Sequence, residues 1–355
     1  MQARNNPNSV SAKEARMANI VLGMALSHTP QLHTPPAKWR LRIAADEKNP
    51  AHHFRGNIYT WPQLLALREP EGIERWLSVE EKTVRMERAN AAVTRMASVY
   101  REVKPDVAVI IGNDQHELFV EDIMPAMTIY WGAEVPNCPA REDQAVRMPA
   151  GIHLAEAGHA PPRTLIHPGH PQLGLHLIKK TVADGFDVAH SQWMREADQK
   201  ISFSTGAPHA FGFIYRNIMD DLVIPHVPVI LNTFYPPNQP TAHRCYEFGR
   251  AIGRALKAWD SDARVAVFGS GGLSHFVIDE LFDIAFLNAI VAGDSEYLTG
   301  IDERLFQAGT SECKNWITTA GVLEGAGLKA ELLEQVACYR SAGGTGTGTG
   351  FVCWR

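Results

Sequence analysis

The segment Arg264-Val-Ala-Val-Phe-Gly-Ser-Gly-Gly-Leu-Ser-His275 predicts how this chain folds. Four apolar residues lead into a stretch with three glycines, which is typical of a buried strand that ends in a tight turn. Glycine allows positive φ and the close approach of another group to the backbone. Because ligands bind beyond the carboxyl ends of strands in open α/β sheets, His275 is a candidate functional residue. A surface histidine in an ordinary strand-to-helix loop would give the same local pattern.

Two further apolar segments have the same design. Residues 19–26 precede a Ser-His-Thr-Pro sequence at 27–30, and residues 107–111 precede Gly-Asn-Asp-Gln-His at 112–116. Residues 78–103 are predicted to form a helix, because their first turn matches a capping box and apolar residues then recur at steps of three and four. Strand, helix and strand with polar residues at each strand end indicate an α/β fold, with a central mixed or parallel sheet flanked by helices.

The length and composition are consistent with one large domain. The chain has 355 residues, of which 45% are hydrophobic, and this can bury a sizeable core. We predict a disordered leader over residues 1–16, which are polar, and a single domain over residues 17–355. Residues 37–70 mix charges, prolines and aromatics without periodicity, which favours a long lid-like loop over the functional site. The Gly-Thr repeat at 343–350 predicts a flexible tail.

Composition also limits the partners. A formal charge of -5 argues against nucleic acid or an anionic membrane as the main partner, and no apolar segment approaches the roughly 18 residues of a membrane span. The five cysteines are scattered without a C-x-x-C pair, which favours reduced thiols and a cytoplasmic protein. We expect a homo-oligomer, by default a dimer. No Walker loop or G-x-S-x-G motif is present, so nucleotide-binding and serine-hydrolase functions have little support.

Histidines and one carboxylate recur at the predicted strand and helix ends. His28, His116 and His275 follow predicted strands, His209 lies in a glycine-containing turn, and Glu312 precedes a predicted helix. Two or three imidazoles with one carboxylate can hold non-haem Fe(II), or Zn(II) that activates water for hydrolysis. A polar pocket without metal fits the same residues, and Glu312 can simply favour the amino end of its helix. The spacing does not choose among these, because no HExxH-like motif is present.

Four motifs in order resemble the class III extradiol ring-cleavage dioxygenases of the protocatechuate 4,5-dioxygenase catalytic-subunit type. The sequence around His28 looks like the first metal-ligand motif of that family, and Gly271 to His275 is similar to its catalytic-histidine motif. His209, after a proline, resembles the second active-site histidine, and Glu312, four residues before Trp316, matches the carboxylate ligand. The resemblance extends from about residue 17 to near residue 327 and is closest to the single-chain gallate or 3-O-methylgallate dioxygenases.

The resemblance implies an enzyme that uses O2 to open the ring of a small catechol- or pyrogallol-type acid such as gallate, 3-O-methylgallate or protocatechuate. It implies Fe(II) held by His28, Glu312 and a third group. It implies His275 as general base and then acid, a role that suits an imidazole with a pKa of about 6.5. It also implies His209 as hydrogen-bond donor to the bound oxygen or substrate. An arginine of the 37–70 loop is expected to pair with a substrate carboxylate; the candidates are Arg40, Arg42 and Arg55, and Arg55 is our choice.

One position departs from the family pattern. The family has a histidine directly after the aspartate that follows the second strand, whereas this chain has Asp114-Gln115-His116. Counting back from Phe119 places Gln115 at the ligand position. We predict His116 as the third ligand, because imidazole suits Fe(II) better than an amide does; the alternatives are Gln115, His53 and His52. A metal-dependent hydrolase on the same scaffold and a metal-free binding protein of the same fold are the competing interpretations.

Overall fold

A computed structural model describes residues 17–194 and 206–355, so the predicted leader over residues 1–16 lies outside the described part. The strands are β1 Asn19–Leu26, β2 His52–Phe54, β3 Asn57–Tyr59, β4 Val107–Asn113, β5 Met127–Tyr130, β6 Glu134–Asn137, β7 Leu165–Pro168, β8 Ala189–Ser191, β9 His226–Leu231, β10 Arg264–Ser270, β11 Ala330–Tyr339 and β12 Gly346–Trp354. The α-helices are α1 Ile43–Lys48, α2 Trp61–Arg68, α3 Val79–Val103, α4 Glu142–Arg147, α5 Pro171–Ala183, α6 His209–Asn217, α7 Ala242–Lys257, α8 Glu280–Ala292, α9 Ser295–Gly300 and α10 Cys313–Leu323. None of these helices is long and apolar enough to cross a membrane.

Eight strands form one mixed sheet in the order β11-β12-β1-β10-β4-β9-β5-β8. Strands β1, β10, β4 and β9 are parallel neighbours, whereas β12 runs antiparallel to β1 and to β11, and β5 runs antiparallel to β9. The predicted α/β fold with a central mixed sheet is confirmed. Because the four central strands are parallel, the residues that follow them meet at one edge of the sheet. The residues after β1, β10 and β4 include His28, Gly271 and Asp114.

Alternate residues of the central strands pack into two separate hydrophobic layers. Val107, Val109 and Ile111 of β4 share a cluster with residues of α5, α7, α8 and α10. Ala108 and Ile110 of the same strand belong to the cluster that contains residues of α3 and α6. Helices therefore cover both faces of the sheet, which explains why the strand is apolar at every position rather than at every second one.

The helix predicted over residues 78–103 is confirmed as α3. Ser78 precedes it as N-cap, and its side-chain oxygen accepts a hydrogen bond from Glu81 N at 3.1 Å. Eight of its residues are buried, and six of them belong to the hydrophobic cluster that the helix shares with the sheet. The capping residues and the apolar spacing are both local features, so the helix could be predicted from the sequence.

Residues 37–70, predicted as a long loop, fold into short elements: a 3-10 helix over Pro36–Arg42, then α1, the β2–β3 hairpin and α2. Trp39 is buried, and its Nε1 donates to Thr34 O at 2.9 Å. The carboxylate of Asp46 accepts two hydrogen bonds of 2.7 Å from the Arg340 guanidinium. Long-range contacts therefore order this segment, whose elements are too short to give a periodic pattern.

The flexible tail predicted from the Gly-Thr repeat at 343–350 is wrong. The repeat leads into β12, all nine residues of which are buried between β1 and β11. The Thr347 hydroxyl accepts a hydrogen bond from Thr29 at 3.1 Å. A methyl group on Gly348, on the opposite face of the strand, would overlap the carboxylate of Asp283. The small side chains are therefore a packing requirement and not a sign of mobility.

Gly348→Ala should lower the free energy of unfolding by about 1–3 kcal/mol, the usual cost of overpacking a core. The Asp283 carboxylate has little freedom to withdraw, because it accepts hydrogen bonds of 2.8 Å from both the backbone N and the hydroxyl of Ser274. Urea denaturation measures the change. Gly300→Ala is the matched control, since the added methyl meets no heavy atom of the described residues within 4 Å. Equal stability of the two variants would contradict this account of β12.

Candidate metal centre and active site

His28 lies two residues after the end of β1 and is held between two other elements. Its Nδ1 lies 2.9 Å from Ser270 Oγ at the end of β10, and its Nε2 lies 3.2 Å from Glu312 Oε2. The ring is buried, and burial lowers its pKa although Glu312 acts in the opposite direction. The Nε2 atom of His28 is therefore directed at a buried carboxylate.

The Glu312 carboxylate lies at the centre of this group, one residue before α10. Its Oε2 accepts a hydrogen bond from Gly272 N at 2.7 Å, and its Oε1 accepts one from Gln115 Nε2 at 2.8 Å. Burial by itself would raise the pKa of Glu312, but the neighbouring His28 and His275 rings hold it well below its ordinary value. The site therefore contains a buried, ionised carboxylate surrounded by donors.

His275 presents one ring nitrogen to the same carboxylate. Its Nδ1 lies 2.8 Å from Leu273 O, and since a carbonyl only accepts, the neutral ring carries its proton on Nδ1. Its Nε2 lies 3.7 Å from Glu312 Oε2. A methyl group on Gly272 or Gly309 would collide with the ring. The glycines beside His275 thus provide the room in which the imidazole is fixed.

His209, the first residue of α6, completes the group from another side. Its ring meets the ring of His28 edge to face, with 4.7 Å between centroids. Glu117 Oε1 accepts a hydrogen bond from His209 N and lies 2.8 Å from His209 Nδ1. Burial lowers the pKa of an imidazole, but here the negative charge of Glu117 dominates and raises the pKa of His209 to about 9.

His28, His209 and Glu312 form a set that fits a metal ion. One potential ligand atom from each lies within 4.8 Å of the others, and two imidazoles with one carboxylate are the donors that non-haem Fe(II) takes. The other nitrogen of each ring is engaged by Ser270 or Glu117. Such outer contacts orient histidine ligands in metal sites and leave the inner nitrogen free.

These residues line a cavity of about 280 Å³. Aromatic and aliphatic side chains form much of its wall, and three cationic side chains also border it. The apolar lining residues include Pro30, Trp39, Ile152, Tyr235 and Phe276, and the cationic ones are Lys38, Arg42 and Arg340. A small, largely apolar cavity with a few polar groups is typical of a site for one small organic molecule.

The model of the family described as the catalytic LigB subunit of aromatic ring-opening dioxygenase matches residues 77–351 of this chain. The chain belongs to this family. The match confirms the resemblance inferred from the four motifs.

Two relatives match part of this chain at modest sequence identity. A gallate dioxygenase from Pseudomonas putida is 30% identical over 145 residues, which cover 37% of this chain and 38% of that protein. A 2,3-dihydroxyphenylpropionate/2,3-dihydroxicinnamic acid 1,2-dioxygenase from Comamonas testosteroni is 26% identical over 184 residues, 52% of this chain and 47% of that protein. The chain thus spans less than half the length of these two relatives. The crystal structure of uncharacterized protein JW3007 from Escherichia coli K12 superposes with a TM-score of 0.42 and 13% identity, covering 75% of this chain and 91% of that one.

In this LigB-family chain, the structure does not bring His116 to the candidate metal ligands His28, His209 and Glu312. His116 Nε2 lies 3.2 Å from Glu121 Oε1, and its ring stacks on Tyr235 with 3.7 Å between centroids. Gln115 is the residue that contacts Glu312. The backbone of His116 has a φ of 61°, so the chain turns sharply just where the side chain would have to point inward. This placement is at odds with the prediction that His116 is the third ligand.

The other candidates from the 37–70 segment also lie elsewhere. His52 Nε2 lies 3.0 Å from Asp46 O, and His53 lines a separate small cavity with Arg55 and Asp279. The Arg55 guanidinium makes two hydrogen bonds, of 2.8 and 2.9 Å, to the Asp279 carboxylate. Because Arg55 is engaged there and does not border the main cavity, its predicted contact with substrate does not agree with the structure.

Glu117 contacts His209 at this site, and the sequence analysis did not single it out. Asp114 organises the turn that carries it, because its carboxylate accepts hydrogen bonds from the backbone N atoms of Glu117, Leu118 and Phe119 at 2.8–3.0 Å. Burial and the nearby charge of Glu117 raise the pKa of Asp114 to about 7. An aspartate that caps the residues after it is a local signal for such a turn. The partner of Glu117, however, lies 92 residues away in the sequence.

Proposed function

We propose that this protein is an Fe(II)-dependent dioxygenase that opens an aromatic ring beside a hydroxyl group. The observation that carries the proposal is the convergence of His28, His209 and Glu312 on one point, with His275 beside them in a single cavity. Membership of the LigB family supports ring opening as the reaction class. Relatives named as gallate and dihydroxyphenylpropionate dioxygenases support a hydroxylated aromatic substrate, such as gallate, 3-O-methylgallate or protocatechuate.

His28, Glu312 and His209 would hold the metal. Bound there, Fe(II) would supply the chemistry that lets O2 react with an aromatic ring. Glu312 would contribute a negative charge that is already held ionised by its neighbours. His209 would offer the lone pair of Nε2 after losing the proton from that atom, while Glu117 continues to hold Nδ1. The carboxylate–histidine pair fixes the ring orientation and makes the imidazole a better ligand.

His275 would move the protons. Its Nε2 lies beside Glu312 in the cavity. When the ring is neutral and Nδ1 donates to Leu273 O, Nε2 can take a proton from a substrate hydroxyl. The imidazolium that results is stabilised by the Glu312 carboxylate at 3.7 Å and by the hydrogen bond from Nδ1 to Leu273 O at 2.8 Å. The same nitrogen can return the proton to the ring-opened product. One residue thereby serves as base and then as acid.

The cavity wall would hold the aromatic ring and keep water away. Trp39 is buried and fixed by its hydrogen bond to Thr34 O. Phe276 follows His275 directly and lines the same cavity. Excluding water strengthens the electrostatic contacts among the charged groups of the site. The segment predicted as a lid thus contributes a fixed part of the wall.

Anaerobic reconstitution with Fe(II), followed by O2 uptake in the presence of gallate, 3-O-methylgallate, protocatechuate or catechol, tests the proposal. We expect one O2 consumed per substrate and a new absorption band from the ring-opened product. The Zn(II)-loaded protein is the control and should consume no O2. If the iron-loaded protein consumes no O2 with any of these phenols while the Zn(II)-loaded protein hydrolyses their esters, the protein is a hydrolase and the proposal is wrong. A protein that retains no metal would contradict both.

A further inference from the structure

Arg42 has no part in the metal binding or the proton transfer proposed above. It ends the 3-10 helix Pro36–Arg42 and lines the same cavity as Glu312 and His275. Its Nη1 is buried and has no hydrogen-bond partner within residues 17–194 and 206–355. Buried polar side-chain atoms are nearly always paired. An unpaired guanidinium nitrogen on a ligand cavity therefore indicates an acceptor that arrives with the ligand.

The charges around Arg42 are not balanced by the protein. The cavity is bordered by the cations Lys38, Arg42 and Arg340 but by one carboxylate, Glu312. Arg340 is already paired through two hydrogen bonds with Asp46, which does not itself line the cavity. Burial and repulsion from Arg340 lower the pKa of Arg42 to about 10, and attraction to Asp46 offsets this only in part. An anion beside Arg42 would relieve this imbalance.

We propose that Arg42, with the exposed Lys38 beside it, binds a carboxylate on the aromatic substrate. The protein would then select aromatic acids over neutral phenols of the same size. A planar guanidinium can donate to both oxygens of a carboxylate, which fixes the direction of the ring as well as its affinity. This inference rests on the proposed function in one respect, since it assumes that the aromatic ring of the substrate lies between Arg42 and the candidate metal ligands.

Isothermal titration of the Zn(II)-loaded protein with protocatechuate and with its neutral amide, 3,4-dihydroxybenzamide, tests the inference without turnover. We expect the acid to bind about 10- to 100-fold more tightly than the amide, as a charge-assisted hydrogen bond allows. Arg42→Gln should remove most of that preference by weakening the acid and leaving the amide nearly unchanged. Arg40→Gln is the matched control, because Arg40 belongs to the same short helix but lines a different cavity. It should leave both affinities as in the wild type.

Equal affinity of the wild type for acid and amide would overturn the inference. So would an Arg42→Gln variant that loses both ligands to the same extent, since that pattern indicates a structural role; thermal unfolding of the variant checks that it is folded. The titration does not depend on ring opening. An active dioxygenase without a preference for the acid would refute the carboxylate subsite alone, and a protein that prefers the acid but consumes no O2 would refute the proposed reaction alone.

Discussion

His275→Gln is expected to lower kcat for ring opening by about 10²- to 10⁴-fold, the usual contribution of a positioned acid–base group. Glutamine can still donate a hydrogen bond to Leu273 O, the contact that holds Nδ1 at 2.8 Å, but it cannot take up a proton at neutral pH. Initial rates of O2 uptake, divided by the iron content of each preparation, measure the change. Iron content and substrate affinity should stay close to those of the wild type.

His116→Gln is the control for this substitution. His116 lies near the site, but it contacts Glu121 and Tyr235 and none of the candidate metal ligands. The variant should retain wild-type turnover. A His275→Gln enzyme with wild-type kcat would exclude the acid–base role. A His275→Gln protein that no longer retains iron would identify His275 as a ligand in place of a base.

His209→Ala is expected to weaken metal binding by more than the roughly 10- to 100-fold that loss of an outer contact costs. The reason is that His209 is one of three residues whose ligand atoms lie within 4.8 Å of one another. Equilibrium dialysis with Zn(II) measures the affinity directly and needs no substrate or O2. Glu117→Gln should give the smaller effect of about 10- to 100-fold, because it removes only the group that orients His209.

His116→Ala and Gln115→Ala distinguish the remaining assignments. His116→Ala should leave metal affinity unchanged, and a large loss there would restore the original prediction for the third ligand. If Gln115→Ala loses as much affinity as we expect of His209→Ala, while His209→Ala binds metal normally, the amide is the third ligand. His209 would then keep the role inferred from the family resemblance, as hydrogen-bond donor to the bound oxygen or substrate.

The fold was predictable where its signals are local. The apolar sequence of β4 and the capping residues at Ser78 each act within a few neighbours, so the α/β arrangement and helix α3 could be inferred. The same reasoning failed for the Gly-Thr repeat. Its residues pair with β1 and β11, and the reason for glycine at position 348 is a carboxylate 65 residues earlier, at Asp283.

The candidate site was predictable to a similar extent. His28, His275 and Glu312 were singled out because each stands at the end of an element and matches a motif, and the structure brings all three together. The choice between Gln115 and His116 could not be made in the same way. The two residues are adjacent, and only the folded backbone, which has a positive φ at His116, shows that the side chain of Gln115 reaches Glu312.

The sequence by itself therefore determined which elements form and which residues stand at their ends, because helix caps, apolar periodicity and glycine turns act over short distances along the chain. Only the tertiary structure decided the partners of those residues, such as Glu117 for His209 and Asp279 for Arg55. It also placed Arg42 on the cavity wall, where its Nη1 has no partner among the described residues. These contacts join segments far apart in the sequence, and the direction of each side chain depends on backbone turns that residue types do not specify.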